Sequence, residues 1–111
     1  MQTLAPEAFE GTRLPGVAGL VAVCFHATWC GFCRAFLRLL REREPKTPLP
    51  FALADVSSLS DPRWDSFEIK VVPSLVLFKD GEPVWRKEAL LGIGLREKDI
   101  DKLLEAAAQQ R

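Results

Sequence analysis

The sequence predicts an α/β domain in which helices cover both faces of a mixed sheet, and three features predict it. Two short apolar runs, at residues 19–25 and 51–56, are each followed by a helical pattern. This order favours parallel strands joined by crossover connections. A third apolar run, at residues 74–78, ends in an Asp-Gly pair that favours a tight antiparallel hairpin. Parallel and antiparallel neighbours together make the sheet mixed.

The first half of the chain predicts two buried strands and two helices. Residues 19–25 lack polar alternation, which is typical of a central strand buried on both faces. From Cys33 the apolar residues recur at helical spacing, and this helix ends before Pro45. Residues 51–56 form the second buried strand. A short helix with Pro62 in its first turn follows.

The second half predicts a hairpin and a final helix. The turn at Asp80 leads into a strand that contains Pro83, which cannot donate a hydrogen bond to a neighbour, so we place this strand at the sheet edge. Apolar residues on one stripe of residues 95–110 predict an amphipathic helix that closes the domain. Because 111 residues suffice for one hydrophobic core, we expect a single domain over residues 1–111.

Charge and hydropathy argue against several classes of function. Fifteen Lys and Arg residues balance fifteen Asp and Glu residues, whereas a nucleic-acid-binding protein usually carries a basic surplus. No apolar window is long enough to span a membrane, and the first residues lack a secretory signal, so we expect a cytoplasmic protein. A periplasmic or secreted location would require a signal segment that has been removed. Nothing in the sequence signals an oligomer, and a monomer is expected.

The chemistry-bearing motif is a Cys-x-x-Cys pair, Cys30 and Cys33, at the point where the first strand gives way to a helix. Free N–H groups and the helix dipole stabilise a thiolate at such a position, which favours Cys30 as a nucleophile. Cys33 lies one helical turn further on and can close a disulfide with it. We expect Cys30 to attack a substrate disulfide and Cys33 to resolve the mixed disulfide.

Two other interpretations of the pair remain open from the residues alone. A Cys-x-x-Cys is also half of a zinc site, and Cys24 with His26 would supply the other half. Alternatively the cysteines only switch the binding of a partner. The redox interpretation is favoured because such a pair beside a strand–helix–strand pattern is typical of redox proteins. Cys24 itself is expected to be a small apolar residue of a buried strand.

The motif "HATWCGFC" and the segment "VVPSLVLFKDGE" resemble the two signatures of the thioredoxin family, and the similarity extends over about residues 20–105. This resemblance implies a thioredoxin-like fold and a thiol–disulfide oxidoreductase, with disulfide reduction as the expected direction. It implies no bound cofactor beyond the redox-active cysteines. It also implies protein disulfides as substrates and an electron donor similar to thioredoxin reductase.

The resemblance further implies a substrate-docking groove. The residue that matches Pro73 is cis in the family and faces the cysteines, and the backbone at Val72 pairs with the substrate. One of Gly92 and Gly94 matches the glycine of the groove. The docking residues that the resemblance implies are Trp29, Gly31, Phe32, Val72, Pro73, Gly92 and Gly94.

The sequence departs from the family pattern at three positions near the cysteines. Phe32 stands where the family has proline, and Cys24 stands where it has a buried Asp that aids proton transfer. His26 replaces an aromatic residue and is a candidate to transfer that proton, since a histidine titrates near neutral pH. The alternative for His26 is a packed, partly buried side chain. These departures also raise the alternative of a specialised electron donor or redox relay that serves one partner.

Overall fold

Five strands form one mixed sheet in the computed structural model, which describes residues 1–111. The strands are β1 (Gln2–Thr3), β2 (Leu20–His26), β3 (Phe51–Asp55), β4 (Ser74–Lys79) and β5 (Glu82–Glu88). Their order across the sheet is β1-β3-β2-β4-β5. β2 is parallel to β3 and antiparallel to β4, so the central strand joins the parallel half of the sheet to the antiparallel half.

Three α-helices connect or follow these strands. They are α1 (Gly31–Arg43), α2 (Arg63–Ser66) and α3 (Glu97–Gln109), and short 3₁₀ turns occupy Pro6–Ala8 and Glu44–Lys46. α1 ends where Pro45 enters the following 3₁₀ turn, because proline cannot continue an α-helix. At the start of α3 the Asp99 carboxylate accepts the Arg96 N–H at 2.9 Å, which satisfies one of the free donors there.

The side chains of β2 divide the core into two layers. Ala22 and Cys24 face the layer formed with α1 and α3, whereas Val23 and Phe25 face the layer formed with α2 and the N-terminal segment. In the second layer the rings of Phe9 and Phe67 meet edge to face, with their centroids 5.6 Å apart. The predicted mixed sheet with helices on both faces is therefore confirmed.

The N-terminal strand was absent from the predicted order of elements. β1 has only two residues, both exposed, and thus shows no apolar pattern that predicts a strand. It forms because Gln2 and Thr3 meet β3 at Ala52 and Leu53. The predicted edge strand is confirmed, since β5 is the outer strand next to β4.

No helix of the structure is long and apolar enough to cross a membrane.

Candidate active site

Cys30 and Cys33 lie together at the N-terminus of α1. Cys30 has extended backbone angles and is the N-cap of the helix, and its Sγ accepts the Cys33 N–H at 3.2 Å. The Cys30 carbonyl accepts the Arg34 N–H at 3.3 Å, which begins the hydrogen bonding of the helix. All three cysteines are free thiols in this structure. The Cys30 sulfur therefore occupies the position at which a helix stabilises negative charge.

The two thiols differ in exposure. Cys30 keeps 9 % of its surface exposed, whereas Cys33 is completely buried. Burial, followed by a hydrogen bond to the Cys30 side chain, raises the pKa of the Cys33 thiol above its ordinary value. A hydrogen bond with the Ala27 backbone and the positive charge of Arg34 act in the opposite direction. The reduced protein thus holds an accessible sulfur in front of a buried, protonated thiol.

The segment before β4 approaches the cysteines from the other side. The peptide bond between Val72 and Pro73 is cis, as the resemblance implied. The Cys30 thiol donates to the Val72 carbonyl, with 3.6 Å between Sγ and O. The Val72 N–H donates to no group in the protein. An unpaired backbone donor thus lies in the residue that contacts the outer cysteine.

Two exposed aromatic rings flank the motif. Trp29 is 56 % exposed, stacks on Trp64 and donates its Nε1–H to the Ser57 carbonyl at 2.9 Å. Phe32 is 48 % exposed and packs against Gly94, where an added Cβ would lie 2.9 Å from the phenyl ring.

The structure separates the two candidate groove glycines. Gly94 has a φ of +80°, so both its backbone conformation and its contact with Phe32 require glycine. Gly92 also has a positive φ, yet an added Cβ there would meet no atom within 4 Å. Gly94 therefore adjoins the Cys-x-x-Cys motif, and nothing places Gly92 in contact with it.

Ser57 and Asp55 hold the loop before Cys30, and sequence reasoning missed both. The Ser57 hydroxyl accepts the Thr28 N–H at 2.8 Å and donates to the Asp55 carboxylate. This hydrogen bond holds the pKa of Asp55 below its ordinary value. The available signal was the Asp-x-Ser segment that begins with the last residue of β3, because the carboxyl ends of parallel strands meet at the same edge of a sheet.

The geometry gives no support to the alternative zinc site. Cys24 packs in the layer with α1 and α3, whereas Cys30 and Cys33 belong to the other layer. No three His, Cys, Asp or Glu side chains lie close enough together to hold a metal ion. His26 is buried and makes no side-chain hydrogen bond to a cysteine, and burial lowers its pKa. Its role in proton transfer stays a prediction.

Comparison with known proteins agrees with this geometry. The family model described as Thioredoxin matches residues 1–106. The chain belongs to the thioredoxin family. It is 34 % identical over 84 residues to a thioredoxin of Chlamydia pneumoniae, a match that covers 75 % of this chain and 76 % of that protein.

Solved structures of thioredoxins share the fold. The reduced thioredoxin pre-protein of Schistosoma mansoni superposes with a TM-score of 0.65 and 27 % identity, covering 79 % of this chain and 78 % of that one. A thioredoxin of Fasciola hepatica, 24 % identical, matches with a TM-score of 0.70 over 95 % of this chain and 97 % of its own. Family membership and the adjacent Cys30 and Cys33 make the protein a thiol–disulfide oxidoreductase.

Proposed function

We propose that the protein reduces disulfides in other proteins, with Cys30 as the nucleophile and Cys33 as the resolving thiol. The Cys30 thiolate attacks one sulfur of the substrate disulfide and expels the other as a thiolate, so that a mixed disulfide forms. Cys33 then passes its proton to the expelled thiolate and attacks Cys30, the second substrate sulfur leaves as a thiolate, and a Cys30–Cys33 disulfide remains. Two electrons pass to the substrate, so the cysteine pair itself is the redox group and no bound cofactor is required.

The observation that carries this assignment is the hydrogen bond from the Cys33 N–H to the Cys30 sulfur at 3.2 Å. It aims a helix donor at the less buried of the two sulfurs, which selects Cys30 as the attacking group. The raised pKa of Cys33 keeps the second thiol protonated while Cys30 attacks. The pair thereby divides into an attacking and a resolving group.

The substrate segment would dock between the exposed rings and the Val72–Pro73 segment. A chain extended beside Val72 can accept the free Val72 N–H, which is the main-chain pairing used when a peptide adds to a sheet edge. Trp29 and Phe32 supply apolar contact area on the other side. Of the two glycines, Gly94 belongs to this groove because it lies against Phe32.

The partners that fit this chemistry are oxidised proteins and a reductase. Each turnover leaves Cys30 and Cys33 oxidised, so a donor similar to thioredoxin reductase must return two electrons. We propose that the protein acts as a monomer in the cytoplasm, where reducing conditions favour a disulfide reductase.

The proposed roles are tested by replacing one cysteine at a time and following the reduction of a protein disulfide with dithiothreitol as the electron source. Cys30→Ser should lower the rate to that of dithiothreitol alone, because it removes the attacking sulfur. Cys33→Ser, reduced and then mixed with the oxidised substrate after the dithiothreitol has been removed, should accumulate a mixed disulfide through Cys30, detected by peptide mass, because no second thiol resolves it. Cys24→Ala is the matched control and should keep the parental rate within about twofold, since its sulfur is buried elsewhere.

Equal trapping by Cys30→Ser and Cys33→Ser would contradict the division of roles. A panel of unrelated protein disulfides tests the breadth of the activity. If the unsubstituted protein reduces only one of them, the proposal of a general reductase is wrong and the alternative of a specialised electron donor is supported.

A further inference from the structure

The largest cavity of the molecule lies outside the cysteine site, between the end of β2 and the outer side of α1. Its volume is about 630 Å³, within the usual range of small-molecule sites. The lining residues that matter are His26, Arg34, Leu37, Arg38, Arg41 and Glu42. Neither cysteine lines it, and none of the proposed docking residues does. Apart from the predicted proton transfer by His26, disulfide exchange therefore makes no use of this cavity.

The cavity is strongly basic. Arg34, Arg38 and Arg41 follow one another at intervals of four and three residues, which places all three guanidinium groups on one side of α1. Arg34 donates to the Thr28 carbonyl at 2.9 Å, whereas Arg38 and Arg41 form no salt bridge and no side-chain hydrogen bond. Glu42 supplies the single carboxylate of the lining. Like charges at this spacing destabilise a helix.

His26 adds a second, independent observation at the inner wall. The residue is only 9 % exposed, and its Nε2 is buried without a hydrogen-bond partner in the protein. The large majority of buried side-chain polar atoms in proteins have a protein or water partner, so this nitrogen is a candidate to bind a ligand. Because burial lowers the pKa of His26, the imidazole is neutral at pH 7 and offers one N–H donor.

We propose that this cavity binds a small organic anion that carries two or more negative charges on phosphate or carboxylate groups. Three guanidinium groups against one carboxylate leave two positive charges, and planar guanidinium groups match both kinds of anion with paired hydrogen bonds. A lone inorganic phosphate would leave most of the 630 Å³ unfilled. Leu37 supplies an apolar contact for the carbon skeleton of a larger ligand.

The test uses the full chain and NMR titration of its backbone amides with citrate and with inorganic pyrophosphate at constant ionic strength. Both probes should cause saturable shifts at His26, Thr28 and the exposed side of α1. The double variant Arg38→Ala/Arg41→Ala should bind at least about tenfold more weakly, since each hydrogen bond between charged groups contributes substantially. Both arginines are exposed, and alanine favours the helix, so this variant keeps its fold.

Two further variants sharpen the test. Glu42→Gln should bind both probes more tightly, because it removes the only negative charge of the lining. Lys46→Ala/Arg111→Ala is the matched control: it also removes two exposed positive charges, but neither lies at the cavity, so the affinity should stay within about twofold.

Three results would overturn the proposal. One is the absence of saturable shifts with both probes. Another is an equal loss of affinity in the control double variant, which would mean that the probes respond only to net charge. The third is binding of an acidic peptide at the same amides when citrate and pyrophosphate do not bind, which would assign the surface to a protein partner.

Discussion

Cys24 and Cys33 are both buried thiols, yet only one of them belongs to a redox centre. Cys24 lies in the middle of β2, between Leu53 of β3 and Leu75 of β4, and its Sγ makes one weak, 3.9 Å contact with the Phe25 carbonyl. Cys33 lies in the first turn of α1, directly behind the partly exposed Cys30. Burial raises the pKa of both thiols.

Cys24 and Cys33 are buried to the same degree, and they differ in the groups that surround them. The Cys30 side chain contacts Cys33, so electrons enter and leave the pair through the Cys30 sulfur. A hydrogen bond with the Ala27 backbone lowers the pKa of Cys33 and partly offsets the effect of burial. Cys24 is enclosed by apolar side chains on a strand that is paired on both edges, so no disulfide reaches it without unfolding. A reactive cysteine therefore needs an accessible partner and a stabilised thiolate, and burial alone supplies neither.

The largest expected effect is in the rates of alkylation. In the folded, reduced protein at pH 7, iodoacetamide should label Cys30 at least about a hundredfold faster than Cys33, because only thiolates react and a raised pKa lowers the thiolate fraction tenfold per unit. Cys24 should react only on unfolding. Peptide mass spectrometry after timed quenching measures all three rates, and the chain in denaturant, where they should converge, is the control. If Cys24 is labelled as fast as Cys33 in the folded protein, Cys24 is not an enclosed core thiol and the proposed difference between the two cysteines is wrong.

A smaller effect is expected in the pH dependence of stability. A thiol with a raised pKa keeps its proton in the folded state while the unfolded thiol, with an ordinary pKa of 9.0, loses it. The unfolded state then binds fewer protons, so these two thiols leave the free energy of unfolding of the reduced protein unchanged below about pH 9 and lower it above that pH. The expected fall is about 1.4 kcal/mol per pH unit for each thiol.

Denaturant unfolding from pH 7 to pH 10.5 under a phosphine reductant measures this slope, and the chain has no tyrosine to titrate in that window. Cys24→Ala should reduce the fall in the free energy of unfolding by the contribution of one thiol, about 1.4 kcal/mol per pH unit. Parallel pH curves for the parent and Cys24→Ala would mean that Cys24 keeps an ordinary pKa in the folded protein.

The smallest effect concerns the charge near Cys33. The positive charge of Arg34 lowers the pKa of the Cys33 thiol, so Arg34→Ala should slow the alkylation of Cys33 at a given pH. The change should stay below about fivefold, because an exposed charge in water contributes about 1 kcal/mol. Arg38→Ala removes a similar exposed charge one turn further along α1 and should leave the rate unchanged. Faster alkylation of Cys33 in Arg34→Ala would mean that the charge of Arg34 does not lower the pKa of this thiol.

Local patterns in the sequence were sufficient for most of the fold and for the centre of the site. The apolar runs at residues 19–25, 51–56 and 74–78 each became a strand with bounds shifted by one residue or less, because burial on both faces leaves a run without polar interruption. The Asp80–Gly81 turn and the pair Cys30 and Cys33 are likewise defined by neighbours in the chain, so their spacing alone predicted their geometry.

The order of the elements from β2 onward and the identity of the thiol pair follow from local sequence, since turns, helix starts and apolar periodicity depend on adjacent residues. Three other features arise from tertiary contacts: β1 pairs with β3, Ser57 holds the loop at Thr28, and His26 meets the arginines of α1 in one cavity. These contacts join segments that lie far apart in the chain or on facing elements. Local patterns do not determine these pairings, because the contacts exist only once strand order and helix rotation bring the segments together.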